Sequence, residues 1–453
     1  MNIATLETIP IGTQITIRAR IRISRVKKTN IFIVLRQQLD TIQCIYSKTN
    51  NMDNFFDTLS NIPKESIVDL TGTIVAANVR QCTVKTIELI INDIFVVSLS
   101  EPVLPIQIDE HIYLPEKNAK LFDMESKLVT RLNNRVLDLR RSDNQLIFRI
   151  QADITKIIRN FLDNNNFMEI HTPKMISTAS ESGSNVFEIK YFNKEAYLAQ
   201  SPQLYKQMAI CADFPRVYEI GPVFRAEKSF THRHLTEFTG VDLEMVFYKD
   251  YHEILDFFDQ LFVDLFVCLD KKWHEQVVAF NKDFNVAAFE FVSPSIRISH
   301  QEAVIMLREN GIDMAEYDDF NTEREKALGK IIKDKFHTDF FMVDQFPLAV
   351  RPFYTMPNTA NPLYSNSYDF FIRGEEILSG AQRINDYTML VDSAKHHGID
   401  IDKIHDYLES FKYGTPLHGG GGIGLERVVM LYLGINNIRN VSMFPRDPKR
   451  LTP

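Results

Sequence analysis

The chain has 453 residues, 45% hydrophobic and 24% charged, which is enough to bury more than one core and ordinary for a globular protein. Lys and Arg number 51 against 59 Asp and Glu, a formal net charge of -8 that excludes a surface basic throughout but leaves room for local phosphate-binding patches. The four cysteines, Cys44, Cys82, Cys211 and Cys268, form no CxxC pair, so unpaired thiols of a reducing compartment are expected rather than a zinc site or a disulfide framework.

The N-terminal MNIATLETIPIGT lacks the basic-then-apolar pattern of a signal peptide. The most apolar stretch, LFVDLFVCL from Leu261, is broken by Asp264 and is too short to span a bilayer. A soluble cytoplasmic protein without a membrane partner is expected.

Residues 1–100 read as β. ITIRARIRIS, NIFIVLRQQ, ESIVDLTGTIVAANV and CTVKTIELIINDIFVV are rich in β-branched residues and alternate in polarity. Gly72 marks a turn or a bulge. Short strands with little helix predict a small barrel, of which the OB-fold is one candidate among several. Residues 101–125 open with the two prolines of EPVLPIQI and read as a linker.

From Asp143, a plausible N-cap, the spacing of Leu146, Ile150, Ile154, Ile157, Ile158 and Phe161 predicts a helix that stops around Asn164 to Asn166. A second amphipathic helix is predicted from His252 to Trp273. EAYLAQ, RVYEIGPVFRAE, EFTGVDLEMVFY and YDFFIRGEEI read as extended. Helices and strands mix without regular βαβ alternation, so residues 126–453 are expected to form an α+β domain on an antiparallel sheet flanked by helices.

Five segments carry candidate chemistry. In FRAE, Arg225 and Glu227 share a strand face, and His232, Arg233, His234, Glu237 and Phe238 follow after a loop; this reads as a phosphate site or as a surface salt-bridge ladder. Asp242 and Glu244 share one strand face, either around a cation or on a solvated edge. Asp369, Glu375, Glu376, Ser379 and Arg383 gather oxygens suited to Mg²⁺. The glycine run from His418 to Gly424 enters an apolar helix and reads as a flexible loop, but it is neither a P-loop nor a dinucleotide fingerprint. Arg427, among apolar neighbours just beyond it, needs a partner. Arg18, Arg20, Arg22, Arg25, Lys27 and Lys28, with Phe32 following, form either a single-stranded nucleic-acid face or an ordinary charged strand.

In order, these segments resemble the three signature motifs of class II aminoacyl-tRNA synthetases. The first motif is the predicted helix and the extended stretch to Pro173; the second is FRAE, a loop and HLTEF; the third is GGGGIGLER. YLAQSPQLYKQ, GEEILSGAQR and FPRDPKR resemble the aspartyl enzymes of the eukaryotic and archaeal type. The interval between the second and third motifs is too short for the large insertion of the bacterial enzymes. The Lys-rich extension of many eukaryotic relatives has no counterpart here. The flipping loop reads SESGSNVF, with Ser182 where the family usually has Gly.

The resemblance implies an N-terminal OB-fold that binds the anticodon, a hinge, and a catalytic domain that joins L-aspartate to tRNA(Asp) using ATP and Mg²⁺. It assigns the α-phosphate to Arg225 and the adenine to Glu227, Phe238 and Arg427. His234 and Arg427 lie towards the terminal phosphates, and Gly424 and Glu376 complete the nucleotide site. Asp369, Glu376 and Ser379 resemble the metal site. The aspartate carboxylate goes to Arg383 and Lys206, its ammonium to Ser180, Glu181 and Gln203. Asp242 holds the two cations, and Ser379 lies in the same pocket. Phe32 would stack on an anticodon base, beside Arg25, Gln43 and Glu88. A homodimer with Pro173 at its interface is implied, as is compatibility with a larger multi-synthetase complex.

Overall fold

The structure, a computed structural model, describes residues 1–48, 54–108, 121–178 and 186–453. Contacts divide the described residues into two compact units, 1–108 with 121–146, and 147–453.

In the first unit, strands β1 (Gln14–Lys27), β2 (Asn30–Gln37) and β3 (Asp40–Ser47) precede helix α1 (Asn54–Asn61), and β4 (Ile67–Ala76) and β5 (Ile87–Ser98) follow it. They close into a barrel in the order β1-β2-β3-β5-β4, the OB-fold arrangement. Alternation explains the closure: Ile15, Ile17, Ile21, Ile31, Ile33, Leu35, Val68 and Leu70 are buried, while their immediate neighbours, Arg36 excepted, are more exposed. Gly72 proves to be a bulge within β4 and not a turn. The β4–β5 register shifts at Thr71/Gly72, and a Cβ on Gly72 would lie 2.9 Å from the Ile90 carbonyl oxygen.

Helices α2 (Leu121–Asn133) and α3 (Arg135–Asp138) group with the first unit by their contacts. A buried charge cluster accompanies this division: Glu65 accepts from Arg36 at 2.9 Å and from Arg140 at 3.1 Å.

Helix α4 spans Ser142–Asn164, so Asp143 lies in its first turn and not at its cap, and Asn166, at φ 61°, follows its end. Next come β6 (Met168–Glu169), β7 (Met175–Ile176), β8 (Glu188–Tyr191), β9 (Lys194–Leu198), α5 (Gln203–Cys211), β10 (Arg216–Phe224), β11 (Glu237–Val246) and α6 (His252–Phe284). The chain continues through β12 (Ile296–Ser299), α7 (His300–Glu309), α8 (Thr322–Phe336), β13 (Phe340–Asp344), β14 (Ser367–Ile372) and β15 (Glu375–Gln382). It ends with α9 (Tyr387–His396), α10 (His405–Ser410), β16 (His418–Gly424) and α11 (Leu425–Tyr432).

Eight of these strands form one sheet in the order β12-β13-β14-β15-β16-β11-β10-β6. The pairings from β13 to β10 are antiparallel, as the sequence suggests, and each edge adds one parallel pairing. Helix α6 runs 33 residues, past the expected stop at Trp273, until Asn285 adopts a left-handed conformation. Its Phe258 and Phe262 rings meet Phe370 and Phe340 at centroid distances of 5.7 and 5.1 Å, tying the helix to the sheet. Such ring pairs contribute about 0.5–1.5 kcal/mol each beyond their buried area.

The glycine run is not a loop. Gly419 to Gly424 lie in β16, paired with β11 on one side and β15 on the other. A Cβ on Gly420 would come 2.0 Å from the Leu243 carbonyl oxygen, so the strand must be nearly bare backbone.

All four cysteines are free. Among the described residues no helix is long and apolar enough to cross a membrane.

Candidate active site

A cavity of about 350 Å³ opens in the second unit, with residues of β11, β15 and β16 in its wall. Bare glycine backbone at Gly422 and Gly424 leaves the space that side chains would fill. Arg225 follows the last residue of β10, and its backbone N–H donates to Thr236, which closes the connecting loop so that Glu227, Arg233 and His234 also reach the cavity. Phe238 and Asp242 project from β11, Glu376, Ser379 and Arg383 from β15 and just beyond it, and Arg427 from α11.

Eleven of the expected residues therefore share one cavity: Gln203, Arg225, Glu227, His234, Phe238, Asp242, Glu376, Ser379, Arg383, Gly424 and Arg427. Lys206 and Asp369 lie behind its wall, each bonded to wall residues. Ser180, Glu181 and the rest of the flipping loop as far as Asn185 fall outside the described residues. Pro173 sits between β6 and β7, away from the cavity wall.

Asp242 and Glu244 are buried on a central strand, which rules out the solvated-edge alternative. Lys206 Nζ lies 3.1 Å from Asp242 and 3.4 Å from Glu244. Arg383 donates from Nε to Glu244 at 2.9 Å and from Nη2 to the Gly420 carbonyl at 2.9 Å and Gln203 Oε1 at 3.3 Å. Glu244 thus contacts both cations, and Asp242, which the sequence reading had named for this role, contacts Lys206. Burial alone would raise the Glu244 carboxyl, but Arg383 and Lys206 outweigh it and hold the group below the ordinary carboxylate range. Burial likewise works against the Arg383 charge, and Glu244 reverses the balance so that its pKa rises.

At the other end, guanidinium groups dominate. Arg225 lies 5.5 Å from the Phe238 ring centroid. Arg427 donates to the Glu376 carbonyl at 2.8 Å, and Arg233 to Glu325 at 2.6 Å. Burial, then the Arg427 charge, lowers the His234 pKa, so this imidazole is neutral at neutral pH. Glu426 accepts the Thr239 N–H on both oxygens, at 3.0 and 3.1 Å, and so fixes the backbone next to Phe238.

Arg351 was missed in the sequence. Its Nη1 and Nη2 reach the two Asp369 oxygens at 3.1 and 2.7 Å, Nη1 reaches Ser379 Oγ at 3.0 Å, and the group lies 3.9 Å from the Phe346 ring centroid. The signal was present: an arginine among Leu348, Ala349, Val350 and Pro352 needs a partner for the same reason as Arg427.

Asp369, Glu376 and Ser379 supply two carboxylates and a hydroxyl. Burial raises the Asp369 carboxyl, Arg351 opposes it and the Glu376 charge adds to it, leaving a pKa of about 7. Carboxylate oxygens paired with one guanidinium retain lone pairs. Among the described residues no three His, Cys, Asp or Glu side chains form a metal site unaided. The set fits Mg²⁺, which takes few protein ligands and completes its shell with phosphate and water.

On the barrel, Arg25 pairs across the strands with Phe32, Phe32 with Ile45, and Gln43 with Val34. Gln43 Nε2 donates to Glu88 at 2.7 Å. The four expected residues are gathered on neighbouring outward positions by the period of two.

Comparison with known proteins agrees with both units. The family of class II tRNA synthetases (D, K and N) matches residues 127–448, and that of the OB-fold nucleic acid binding domain matches residues 15–97. The cytoplasmic aspartate–tRNA ligase of Homo sapiens is 50% identical, over 96% of this chain and 88% of its own length. The aspartyl-tRNA synthetase of Entamoeba histolytica superposes with a TM-score of 0.89 at 42% identity, covering 100% of this chain and 92% of that one. The asparaginyl-tRNA synthetase of Pyrococcus horikoshii, bound to asparaginyl-adenylate, superposes at 0.84 with 26% identity, covering 98% and 97%. By sequence along nearly its whole length, and by the architecture of both units, the chain belongs to the class II tRNA synthetases, in the aspartate–tRNA ligase family.

Proposed function

We propose that the protein activates L-aspartate with ATP and transfers the aspartyl group to the 3′ end of tRNA(Asp), in the cytoplasm, where its relatives are named as residing. The observation that carries this reading is Arg383. It is buried, its Nε and Nη2 are held by Glu244, Gln203 and Gly420, and its Nη1 makes no hydrogen bond among the described residues. A buried guanidinium with an edge left over suits a substrate carboxylate.

In the first step an oxygen of the aspartate α-carboxylate attacks the α-phosphorus of ATP and the bond to pyrophosphate breaks. In the second, the terminal ribose hydroxyl of tRNA attacks the aspartyl carbonyl and AMP leaves. Neither step needs a protein nucleophile, so the cavity works by positioning and by opposing phosphate charge. Arg225 takes the α-phosphate. Glu227 accepts from the adenine amino group, Phe238 and Arg427 flank the ring, and Gly424 lets the nucleotide approach the backbone. Neutral His234 and Arg427 lie towards the terminal phosphates. Held by Asp369, Glu376 and Ser379, a Mg²⁺ would supply further charge neutralisation to those phosphates.

Aspartate lies with its side-chain carboxylate on Arg383. Lys206 adds positive charge from behind the wall, and Asp242, Gln203 and Ser379 surround the substrate, with Ser180 and Glu181 as its ammonium acceptors. An uncharged amide cannot satisfy this positive end, so asparagine is rejected by binding alone. Residues 1–100 serve as the anticodon-binding domain, 101–125 as the hinge and 126–453 as the catalytic domain. Arg25, Phe32, Gln43 and Glu88 read the anticodon. The protein works as a homodimer with Pro173 at the interface, in a form compatible with a multi-synthetase complex.

The test is ATP–pyrophosphate exchange without tRNA, comparing aspartate, asparagine and lysine. Exchange with aspartate alone supports the reading; exchange with asparagine overturns the assignment of Arg383.

A further inference from the structure

Arg351 occupies the place where a metal ion would be expected. Its guanidinium forks onto both oxygens of Asp369 at 3.1 and 2.7 Å and reaches Ser379 Oγ at 3.0 Å. Two of the three candidate metal ligands are therefore already engaged by one internal cation. The third, Glu376, is more exposed than Asp369 and lies 3.8 Å from Arg427. The fork is held on its far side by the Phe346 ring, 3.9 Å from the guanidinium carbon, so the arginine is stacked as well as paired.

We infer that Arg351 is a resident counter-ion that competes with the divalent cation for Asp369 and Ser379, so that the free protein binds metal weakly and the cation enters together with the nucleotide. This inference rests on the proposed function of the same cavity. The argument is one of charge. Arg225, Arg233, Arg351, Arg383 and Arg427 line the cavity against Glu227, Asp242, Glu376 and Glu426. Arg233, Arg351 and Arg383 are already paired with Glu325, Asp369 and Glu244, so a bare divalent ion finds no carboxylate free of a cation at Asp369. ATP brings negative charge, which compensates the arginines and gives the ion phosphate oxygens as ligands. Arg351, sharing or ceding Asp369, can then turn its N–H groups towards the phosphates from its place in the cavity wall. Arg351 is a positioning residue in this account: it sets when the metal binds and keeps Asp369 aimed until then.

The experiment is Mn²⁺ binding to the full-length protein, followed by electron paramagnetic resonance without amino acid, with and without ATP. Wild type, Arg351→Gln, Arg351→Lys and Asp369→Asn are compared. Arg351→Gln should bind Mn²⁺ about ten- to a hundredfold more tightly than wild type when ATP is absent, the scale of removing one charge a few ångströms away at an intermediate dielectric. The gain should shrink when ATP is present. Arg351→Lys keeps the charge but loses the fork, and should fall between the two. Asp369→Asn should lose the tightened binding when combined with Arg351→Gln. Unchanged or weaker Mn²⁺ binding by a folded Arg351→Gln protein overturns the inference. If Arg351→Gln does not fold, Arg351→Lys decides alone: binding no tighter than wild type overturns the inference. A failed metal result leaves wild-type aspartate exchange untouched, so failure of this inference and failure of the functional reading are told apart.

Discussion

Arg383 and Glu244 form a buried ion pair, Nε to Oε1 at 2.9 Å, in which neither side chain is more than 4% exposed. Taking two charges out of water is worthwhile only when geometry and further hydrogen bonds compensate, and here Gly420 and Gln203 complete the set. The pair holds the guanidinium plane fixed, which makes the shape of the arginine as important as its charge. Arg383→Lys keeps a cation against Glu244 but loses the fork. Aspartate-dependent exchange should fall by about a hundredfold, the order of a lost charged hydrogen-bond pair of 2–3 kcal/mol, with the KM for ATP little changed. Near-normal exchange would remove Arg383 from the aspartate site.

The glycine strand predicts two opposite outcomes for one kind of change. Gly420→Ala would place a Cβ 2.0 Å from the Leu243 carbonyl oxygen, where backbone has to move, so the variant should be insoluble or melt well below wild type. Gly424→Ala meets only the Arg427 Cβ, at 3.6 Å, an ordinary contact. It should fold normally and raise the KM for ATP severalfold. Equal melting temperatures for the two variants would contradict the strand's packing.

His300 is fully buried; its Nε2 donates to the Asp318 carbonyl at 3.0 Å and its Nδ1 has no hydrogen-bond partner among the described residues. Burial pushes its pKa down from 6.5 to about 4. The folded state therefore binds a proton less readily than the unfolded chain. The sign follows: this group costs no stability above pH 6.5, and stability is lost as pH falls from about 6.5 towards 4, by up to about 1.4 kcal/mol per pH unit. His300→Gln should lower stability at pH 7.5 but show a shallower loss between pH 6.5 and pH 5 than wild type. Parallel thermal-midpoint curves for the two proteins would show that His300 is not the titrating group.

On the barrel, Phe32→Ala should weaken tRNA charging at limiting tRNA by about 1–3 kcal/mol, the range for a stacked base, and leave amino-acid activation unchanged. Side-by-side aminoacylation and exchange assays give the answer. Loss of both activities would place Phe32 in folding and not in recognition.

Much of this was legible in the sequence for physical reasons. The alternation in β1 and β2 announced strands because one barrel face is buried and the other is not. Arg225, Glu227, Arg383 and Arg427 could be picked out because the pattern around them matched a family with a demanding chemistry. The glycine strand misled because glycine has no side chain through which burial can write a period, so a central strand looks like a loop. Helix α6 outran its expected end because Val277, Phe280 and Asn281 are buried beyond Trp273, a tertiary effect invisible to local polarity. Glu244 could not be separated from Asp242, since two acids on one strand face are equivalent until the cations opposite them are placed. The apolar neighbours of Arg351 marked it as needing a partner, but only the fold shows that the partner is Asp369.

The bare backbone of β16 has a consequence for inhibition. A compound lying against Gly422, in the cavity wall, would contact main-chain atoms, and a Cβ added there would come 3.1 Å from Asp242 Oδ1. Resistance by point mutation would be constrained at that glycine, and escape would have to come from residues elsewhere around the cavity.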